Sequence, residues 1–306
     1  MASDSMISTK SITLPESVSS EIWQKAQYKS VVMQLAQPIT LPGNGLTIPV
    51  VTGDPVAEWT GETEEKPVGK HTLTTKSMKG YTVALIEPFS NQFRDNNASL
   101  YEALVERLPG SISKVFDQTV FGFQAAPGDG FDTLAVAPAV DISTKAYDGF
   151  VDAIEKVGDA DGDLNHWVLA PKGRTILLKA KDNQNRPLFI SNAAVETAPN
   201  SVLSIPATFT KNVHKAAVES KSAEVVGFGG DWTAARYGIV KDINIAVADQ
   251  ASLSVKDGDN TVQLNLWQRN MFAVRIELEI GFVVRDVNEF VRLDNGTVTV
   301  NPSHTE

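Results

Sequence analysis

The sequence contains no cysteine among its 306 residues. Disulfide frameworks, thiolate zinc sites, iron–sulfur clusters and cysteine nucleophiles are therefore excluded together. Hydrophobic residues make up 42 % of the chain and charged residues 21 %, a globular composition that excludes wholesale disorder. The length suits one large domain or two ordinary ones. Stability must come from packing, either within the chain or against neighbouring chains.

Long apolar runs are also missing, because no stretch approaches the ~20 residues that a membrane-spanning helix needs. The first ten residues are rich in Ser and Thr, include Asp4, and lack the apolar segment of a signal peptide. We therefore expect a soluble chain, made in a cytoplasm, with no membrane partner.

Basic residues are in deficit: 27 Lys and Arg stand against 37 Asp and Glu, a net charge of −10. Sequence-specific nucleic-acid binding needs clustered Lys and Arg, so this balance argues against it. One group of basic residues fits the solvated side of a short helix and comprises Lys172, Arg174, Lys179 and Lys181.

Signatures of enzymes are absent as well. The four histidines lie too far apart for a metal-binding pair, and neither a Gly-x-Ser-x-Gly elbow nor a phosphate loop occurs. The glycine-rich run 227–230 is interpreted as a turn. The acidic run 159–165 imitates a calcium loop, but Leu164 and Ala170 stand where glycine and a bidentate Glu are required. The sequence predicts no metal, no cofactor and no free active site.

Periodicity predicts two long helices. Residues 14–36 keep one face roughly apolar, with Pro15 at a position that suits the first turn. Residues 98–122 repeat apolar side chains at helical spacing, and Pro109 followed by Gly110 should kink or briefly interrupt this second helix.

The rest of the chain predicts a mixed α+β protein. Residues 136–261 indicate a compact α/β unit with helices over 145–157 and 171–181 and strands at 167–169, 225–228 and 243–247. Residues 262–300 are rich in strands, since apolar residues alternate from Phe272 to Phe282.

Residues 48–85 predict an extended hairpin, with strands at 48–52, 71–78 and 81–86 around a polar tip. Its apolar content is too thin for a core of its own, so it must be disordered or lie on another chain. Trp59 is typical of an interface anchor, although folding back onto its own domain stays open as an alternative.

These pieces, in this order, resemble the major capsid proteins of tailed phages, which have the Hong Kong 97 fold. The resemblance runs from about residue 15 to 295. The motifs that carry it are Ser30 with Ile48-Pro49-Val50, Ala57-Glu58-Trp59-Thr60-Gly61-Glu62, Lys66-Pro67, Lys79-Gly80-Tyr81-Thr82-Val83-Ala84, the helix closing in Asp117 to Gly122, His166-Trp167-Val168-Leu169-Ala170-Pro171, Lys181-Asp182 with Arg186-Pro187-Leu188, Gly230-Asp231-Trp232, and Asn270-Met271-Phe272-Ala273-Val274-Arg275.

The resemblance implies an N-terminal arm over 1–47, an extended loop over 48–85, a peripheral domain over 86–135 and 262–306, and an axial domain over 136–261. It also implies self-assembly into pentamers and hexamers of an icosahedral shell around double-stranded DNA. The arm and hairpin would then lie over neighbouring subunits, with intersubunit contacts at Trp59, Glu62, Lys66, Pro67 and Lys70.

The implied partners are further copies of the chain, a separate scaffolding protein (unless such a segment has been removed by proteolysis), a portal, non-specifically contacted DNA and a decoration protein. The implied location is the virion, after assembly in the host cytoplasm. Two rivals stay open: an encapsulin, a cargo-loaded compartment of the same fold, and a hydrolase or binding module with a free active site.

Some members of the resembled family weld their shells with Lys–Asn isopeptide bonds. The matching positions here are Lys66, Asn270 and a helping Glu277. A site of this kind must desolvate the lysine and offer a carboxylate that takes its proton. Asn270 and Glu277 are an odd number of residues apart, so on one strand they would face opposite ways. Because Lys-Pro and the asparagine also occur in relatives that form no such bond, the cross-link stays open.

Overall fold

The structure is a computed structural model that describes residues 16–53, 59–60, 62, 66, 68, 72–93, 97–182, 184–186, 188, 201–218, 222–257 and 260–296. The chain divides into two compact units. The first unit comprises residues up to Ser30, Thr82–Phe116 and Lys241–Glu279. The second unit comprises Val31–Tyr81, Asp117–Val240 and the segment from Ile280 onward.

Helices and strands are mixed along the chain, as the sequence predicted for an α+β protein. The helices are α1 (Glu16–Lys29), α2 (Val31–Leu35), α3 (Asn97–Val120), α4 (Ala146–Asp159) and α5 (Pro171–Lys179). The strands are β1 (Gln37–Thr40), β2 (Leu46–Gly53), β3 (Thr72–Met78), β4 (Tyr81–Ser90), β5 (Ala139–Asp141), β6 (His166–Leu169), β7 (Ser201–Val202), β8 (Ile205–Phe209), β9 (Glu224–Gly230), β10 (Ala235–Ala248), β11 (Ser252–Asp257), β12 (Asn260–Asn265), β13 (Met271–Val284) and β14 (Phe290–Asn295).

The first predicted helix, residues 14–36, is wrong as a single element, because the chain divides at Ser30 into α1 and α2. The carboxylate of Asp117 accepts hydrogen bonds from the backbone N–H groups of Val31 (3.3 Å) and Val32 (3.4 Å). These are N–H groups that a new helix start leaves without an intrahelical partner. A side chain distant in sequence therefore begins α2, which local periodicity did not reveal.

The second predicted helix is confirmed as α3, which continues through Pro109 without interruption. Proline removes one backbone donor and disturbs the preceding turn. Two side chains bond to backbone carbonyls near the proline. The Lys29 ammonium donates to the Glu106 oxygen (2.8 Å), and the Ser113 hydroxyl lies 2.7 Å from the Pro109 oxygen. The same hydroxyl lies 2.7 Å from the Ala26 oxygen, so it also ties α3 to α1 within the first unit.

The second unit is built on a six-stranded sheet of order β5, β14, β9, β6, β8, β7. β9 is antiparallel to both of its neighbours, whereas β5 pairs parallel with β14 and β8 pairs parallel with β6. Helices α4 and α5 pack on this sheet and contact each other. They share a core whose buried members include Phe150, Ala153, Val157, Trp167, Leu169, Leu177, Val226, Val291 and Leu293.

The glycine-rich run 227–230 is part of β9 and not the predicted turn, and every residue of this strand is buried. A Cβ atom at Gly229 would collide with the ring of Trp167, and one at Gly230 would collide with the ring of Phe290. The glycines therefore let two large aromatic side chains lie directly against the strand. Their function is close packing, which a local sequence pattern cannot distinguish from a turn.

Three smaller sheets complete the described part of the chain. β2 and β3 form a two-stranded antiparallel hairpin whose register runs from Leu46 opposite Met78 to Gly53 opposite Thr72. β11 and β12 form a second antiparallel pair. The fourth sheet has the order β1, β10, β13, β4. The predicted strand at 81–86 thus belongs to this sheet as β4.

Candidate functional site

The base of the β2–β3 hairpin is fixed within the second unit. Met78 is fully buried in a small apolar cluster with Leu41 and Val283. The Lys76 ammonium donates to the carbonyl oxygen of Val284 (2.8 Å) and pairs with the carboxylate of Asp132 (3.2 Å). These contacts therefore anchor the base of the hairpin to the rest of the second unit.

The tip of the hairpin carries exposed side chains. Trp59 is fully exposed, with a relative accessibility of 105 %, and Val68 reaches 87 %. Glu62 and Lys66 are exposed as well. Burying an indole removes a large apolar area from water, which is favourable, so an exposed tryptophan is a candidate contact residue. The predicted contact residues Pro67 and Lys70 lie outside the described residues.

Asn270 lies in a tight turn immediately before β13. Its φ of 52° is left-handed, a conformation that asparagine tolerates better than most residues. Its backbone oxygen accepts a hydrogen bond from the Asn91 N–H (3.0 Å), and its amide Oδ1 accepts from Asn91 Nδ2 (2.6 Å). Because β13 begins only at Met271, the predicted alternation between Asn270 and Glu277 does not apply.

Glu277 is on the less buried face of β13, between the buried residues Ile276 and Leu278. Its carboxylate pairs with the guanidinium of Arg275 at 3.2 Å. Asn270 and Glu277 both belong to the first unit, and Lys66 belongs to the second. In the first unit, Asn270 is hydrogen-bonded to Asn91, and Glu277 is paired with Arg275.

Trp267 was missed by sequence reasoning. It stands in the same turn as Asn270 and is 75 % exposed, while the preceding Leu266 is fully buried. The signal was available, because a tryptophan between Leu266 and the polar run Gln268-Arg269-Asn270 shows the same pattern as Trp59 in the hairpin tip. The turn therefore presents an exposed tryptophan, as the hairpin tip does.

Within the described ranges, no group of three His, Cys, Asp or Glu side chains is arranged to hold a metal ion. His166 lies 2.8 Å from the Thr208 hydroxyl, and burial lowers its pKa. Across the same described residues, we find no helix of the length and apolarity that crossing a bilayer requires.

Comparison with known proteins decides the family. Residues 10–295 match the family model described as Phage capsid family. The chain belongs to the phage capsid family. It is a major capsid protein of the tailed-phage type and is structural, not an enzyme.

Two relatives are each named as a probable major capsid protein gp17. The chain is 28 % identical to that of Mycobacterium phage L5, over 91 % of this chain and 88 % of the relative. It is 27 % identical to that of Mycobacterium phage D29, over 90 % and 87 %. The capsid protein therefore matches these relatives over nearly their whole length.

Solved structures share its fold. A chain from Mycobacterium phage Adephagia aligns with a TM-score of 0.68 at 21 % identity, covering 88 % of this chain and 90 % of the other. A capsid chain of an empty GTA particle, computed with C5 symmetry, aligns with a TM-score of 0.65 at 12 % identity, over 88 % and 90 %. At these identities the likeness shows a shared fold.

Proposed function

We propose that this capsid protein assembles into pentamers and hexamers that close an icosahedral shell around the double-stranded DNA of a tailed phage. The shell surrounds DNA that an acidic subunit of net charge −10 contacts only non-specifically. A scaffolding protein, a portal and a decoration protein complete the proposed set of partners. Assembly takes place in the host cytoplasm.

The proposal includes the Hong Kong 97-type division of the chain. Residues 1–47 serve as an arm, 48–85 as the extended loop, 86–135 and 262–306 as the peripheral domain, and 136–261 as the axial domain. The fixed hairpin of β2 and β3 supports the extended loop of this division.

One observation carries the proposal: Trp59 is fully exposed at the end of a hairpin whose base is anchored. A two-stranded hairpin alone is marginally stable in water. A neighbouring copy that covers the tip buries the indole. Glu62 and Lys66, with Pro67 and Lys70, then contact that neighbour at the rim of the covered area.

The experiment is cryo-electron microscopy of particles from cells that express the chain with its phage's scaffolding protein. We expect closed shells with five-fold vertices for the unaltered chain. Trp59→Ala should lower the shell yield at least about tenfold, because central aromatic anchors contribute ~2 kcal/mol or more per contact. Trp59→Phe keeps an apolar ring and should retain most of the yield.

Three results would contradict the proposal. Monomers or dimers alone, at high concentration and with scaffold present, would exclude shell assembly. An unchanged yield for Trp59→Ala would exclude the hairpin tip as a contact. Particles that hold a protein cargo instead of DNA would favour the encapsulin alternative.

The covalent cross-link is a separate question for the same particles. In an isopeptide bond the Lys66 amine would attack the side-chain carbonyl of Asn270 and release ammonia, while Glu277 takes a proton. Within one chain the Asn270 amide is bonded to Asn91 and Glu277 is paired with Arg275, two contacts that a cross-link would have to replace. We expect a single 33.0 kDa band on a denaturing gel. A ladder of multiples would establish the cross-link.

A further inference from the structure

Helix α4 has an outer face that the fold leaves exposed. Its inner side carries the buried residues Phe150, Ala153 and Val157. Its outer side presents Tyr147, 44 % exposed, and Val151, 42 % exposed. The exposed residues around these two apolar side chains are the acidic Asp148, Asp152 and Glu155. We call this surface, formed by 147, 148, 151, 152 and 155, the acidic α4 face.

The basic residues of that face are few. The Lys145 ammonium lies 3.6 Å from the Asp148 carboxylate. Lys156 donates to the carbonyl oxygen of Ala139 at 2.9 Å, which draws its charge to the end of the helix near β5. The acidic α4 face therefore retains a net negative charge beside an apolar patch.

The C-terminal end of α5 has the opposite character. Leu178 is 45 % exposed, and the exposed residues Lys179 and Lys181 stand beside it. We call these three residues the basic α5 end. Of the two other basic residues of this helix, Lys172 is exposed, as the sequence predicted, whereas Arg174 is partly buried; both contact other residues of the fold. Lys172 donates to the Glu224 carboxylate at 2.6 Å, and Arg174 stacks over the Phe209 ring at 5.3 Å.

The two surfaces sit over different parts of the same sheet. α4 contacts β5 and β14, at one end of the strand order, whereas α5 contacts β6 and β9 in its middle. In a two-fold symmetric contact, each patch would face the same patch of the second copy, so like charges would lie together. Opposite patches at different positions on one subunit instead suit a head-to-tail contact, which forms rings when the rotation closes.

We propose that the acidic α4 face of one copy binds the basic α5 end of the next copy within a pentamer or hexamer. The inference rests on the proposed self-assembly and adds the residues that form one contact of the ring. Leu178 packs on Tyr147 and Val151, while Lys179 and Lys181 pair with Asp148, Asp152 and Glu155. Exposed ion pairs contribute little free energy, so these pairs fix the register and speed association more than they add strength.

Because the chain has no cysteine, introduced thiols test this contact directly. One chain carries Asp152→Cys and another carries Lys179→Cys, and the two are assembled together and treated with a short bis-maleimide. We expect a cross-linked dimer in the mixture, joined between positions 152 and 179 by mass spectrometry. Each single variant assembled alone should give no dimer.

The outcomes separate this inference from the proposed function. Shells that form but yield no dimer in the mixture would overturn the α4–α5 contact and leave shell assembly intact. Dimers from either single variant alone would show a contact between like surfaces, which also overturns it. A failure of every variant and of the unaltered chain to assemble would overturn the proposed function itself.

Charge reversal provides the second measurement. Lys179→Glu with Lys181→Glu should slow assembly about tenfold at low salt, and so should Asp148→Lys with Asp152→Lys. All four changes in one chain should restore the rate. A control joins the lysine reversals to Asp129→Lys and Asp242→Lys, two exposed positions elsewhere. This control restores net charge but not the pairing, so it should stay slow. Equal rescue by the control would contradict the proposed contact.

Discussion

Strand β9 and the β2–β3 hairpin show two ways in which this capsid protein uses large aromatic residues. Along β9 every residue is buried, and glycines leave room for Trp167 and Phe290 against the backbone. At the hairpin tip Trp59 is instead fully exposed. The six-stranded sheet buries its aromatic side chains within one copy, whereas under the proposed assembly a neighbouring copy buries the tryptophan of the hairpin.

The largest effect that sharpens this comparison comes from a tryptophan. Trp167 is fully buried, packs edge-to-face on Phe150 at 5.0 Å between ring centroids, and donates its indole N–H to the Val202 oxygen. Trp167→Ala should lower the free energy of unfolding by about 4 kcal/mol, because it leaves a cavity and an unpaired carbonyl. Urea denaturation of unassembled subunits measures this loss.

The matched control is Trp59→Ala in the same assay. Since the exposed indole adds little to the isolated fold, its free energy of unfolding should change by less than ~0.5 kcal/mol. Similar losses for both variants would show that Trp59 is covered by its own chain, and the comparison would fail.

A smaller effect is expected at Gly229. A methyl group there meets the Trp167 ring, which has no free space to move into, so Gly229→Ala should destabilise the subunit by about 2–3 kcal/mol. Gly158, in the last turn of α4, has no atom within 4 Å of an added Cβ. Gly158→Ala should therefore be neutral or raise stability by up to ~1 kcal/mol. Thermal unfolding of the two variants side by side tests the packing role, and equal shifts would refute it.

The smallest of the three effects concerns the start of β9. Burial raises the pKa of the Glu224 carboxyl, but hydrogen bonds from Lys172, Asn295 and His214 outweigh it and lower that pKa to about 2. Glu224→Gln should cost about 2 kcal/mol at neutral pH, because charge-assisted hydrogen bonds are lost. Glu106→Gln, at an exposed position, should change the stability by less than ~0.5 kcal/mol.

The pH dependence of this loss has a definite sign. Because the pKa of the Glu224 carboxyl is lower in the folded chain, its ionised form stabilises the fold. This contribution to the free energy of unfolding is fully present above the ordinary pKa of 4.5 and declines as the pH falls toward about 2. The difference between the unaltered chain and Glu224→Gln should therefore shrink below pH 4.5. Unfolding free energies at a series of pH values measure it, and a constant difference would contradict the ionised cluster.

Much of the fold was predictable where the signal is local. Periodicity predicted α3, α4 and the alternating strand β13, and polarity identified the hairpin and its tryptophan. Prediction failed where a residue distant in sequence decides the local structure. The Asp117 carboxylate accepts from the N–H of Val31, where the first predicted helix divides, and the Trp167 ring leaves no room for a side chain at Gly229. Of the candidate site, Trp59 was found from composition. Trp267 was missed although its surroundings carried the same pattern.

The order and spacing of weak motifs along the chain, which resemble those of tailed-phage capsid proteins, were enough by themselves to indicate a capsid subunit. Only the tertiary structure decided which lysine of α5 forms an ion pair with another part of the fold, and which glycines serve packing. The physical reason is that periodicity reports which side of an element is apolar. It does not report which partner, brought from far along the chain, lies against that side.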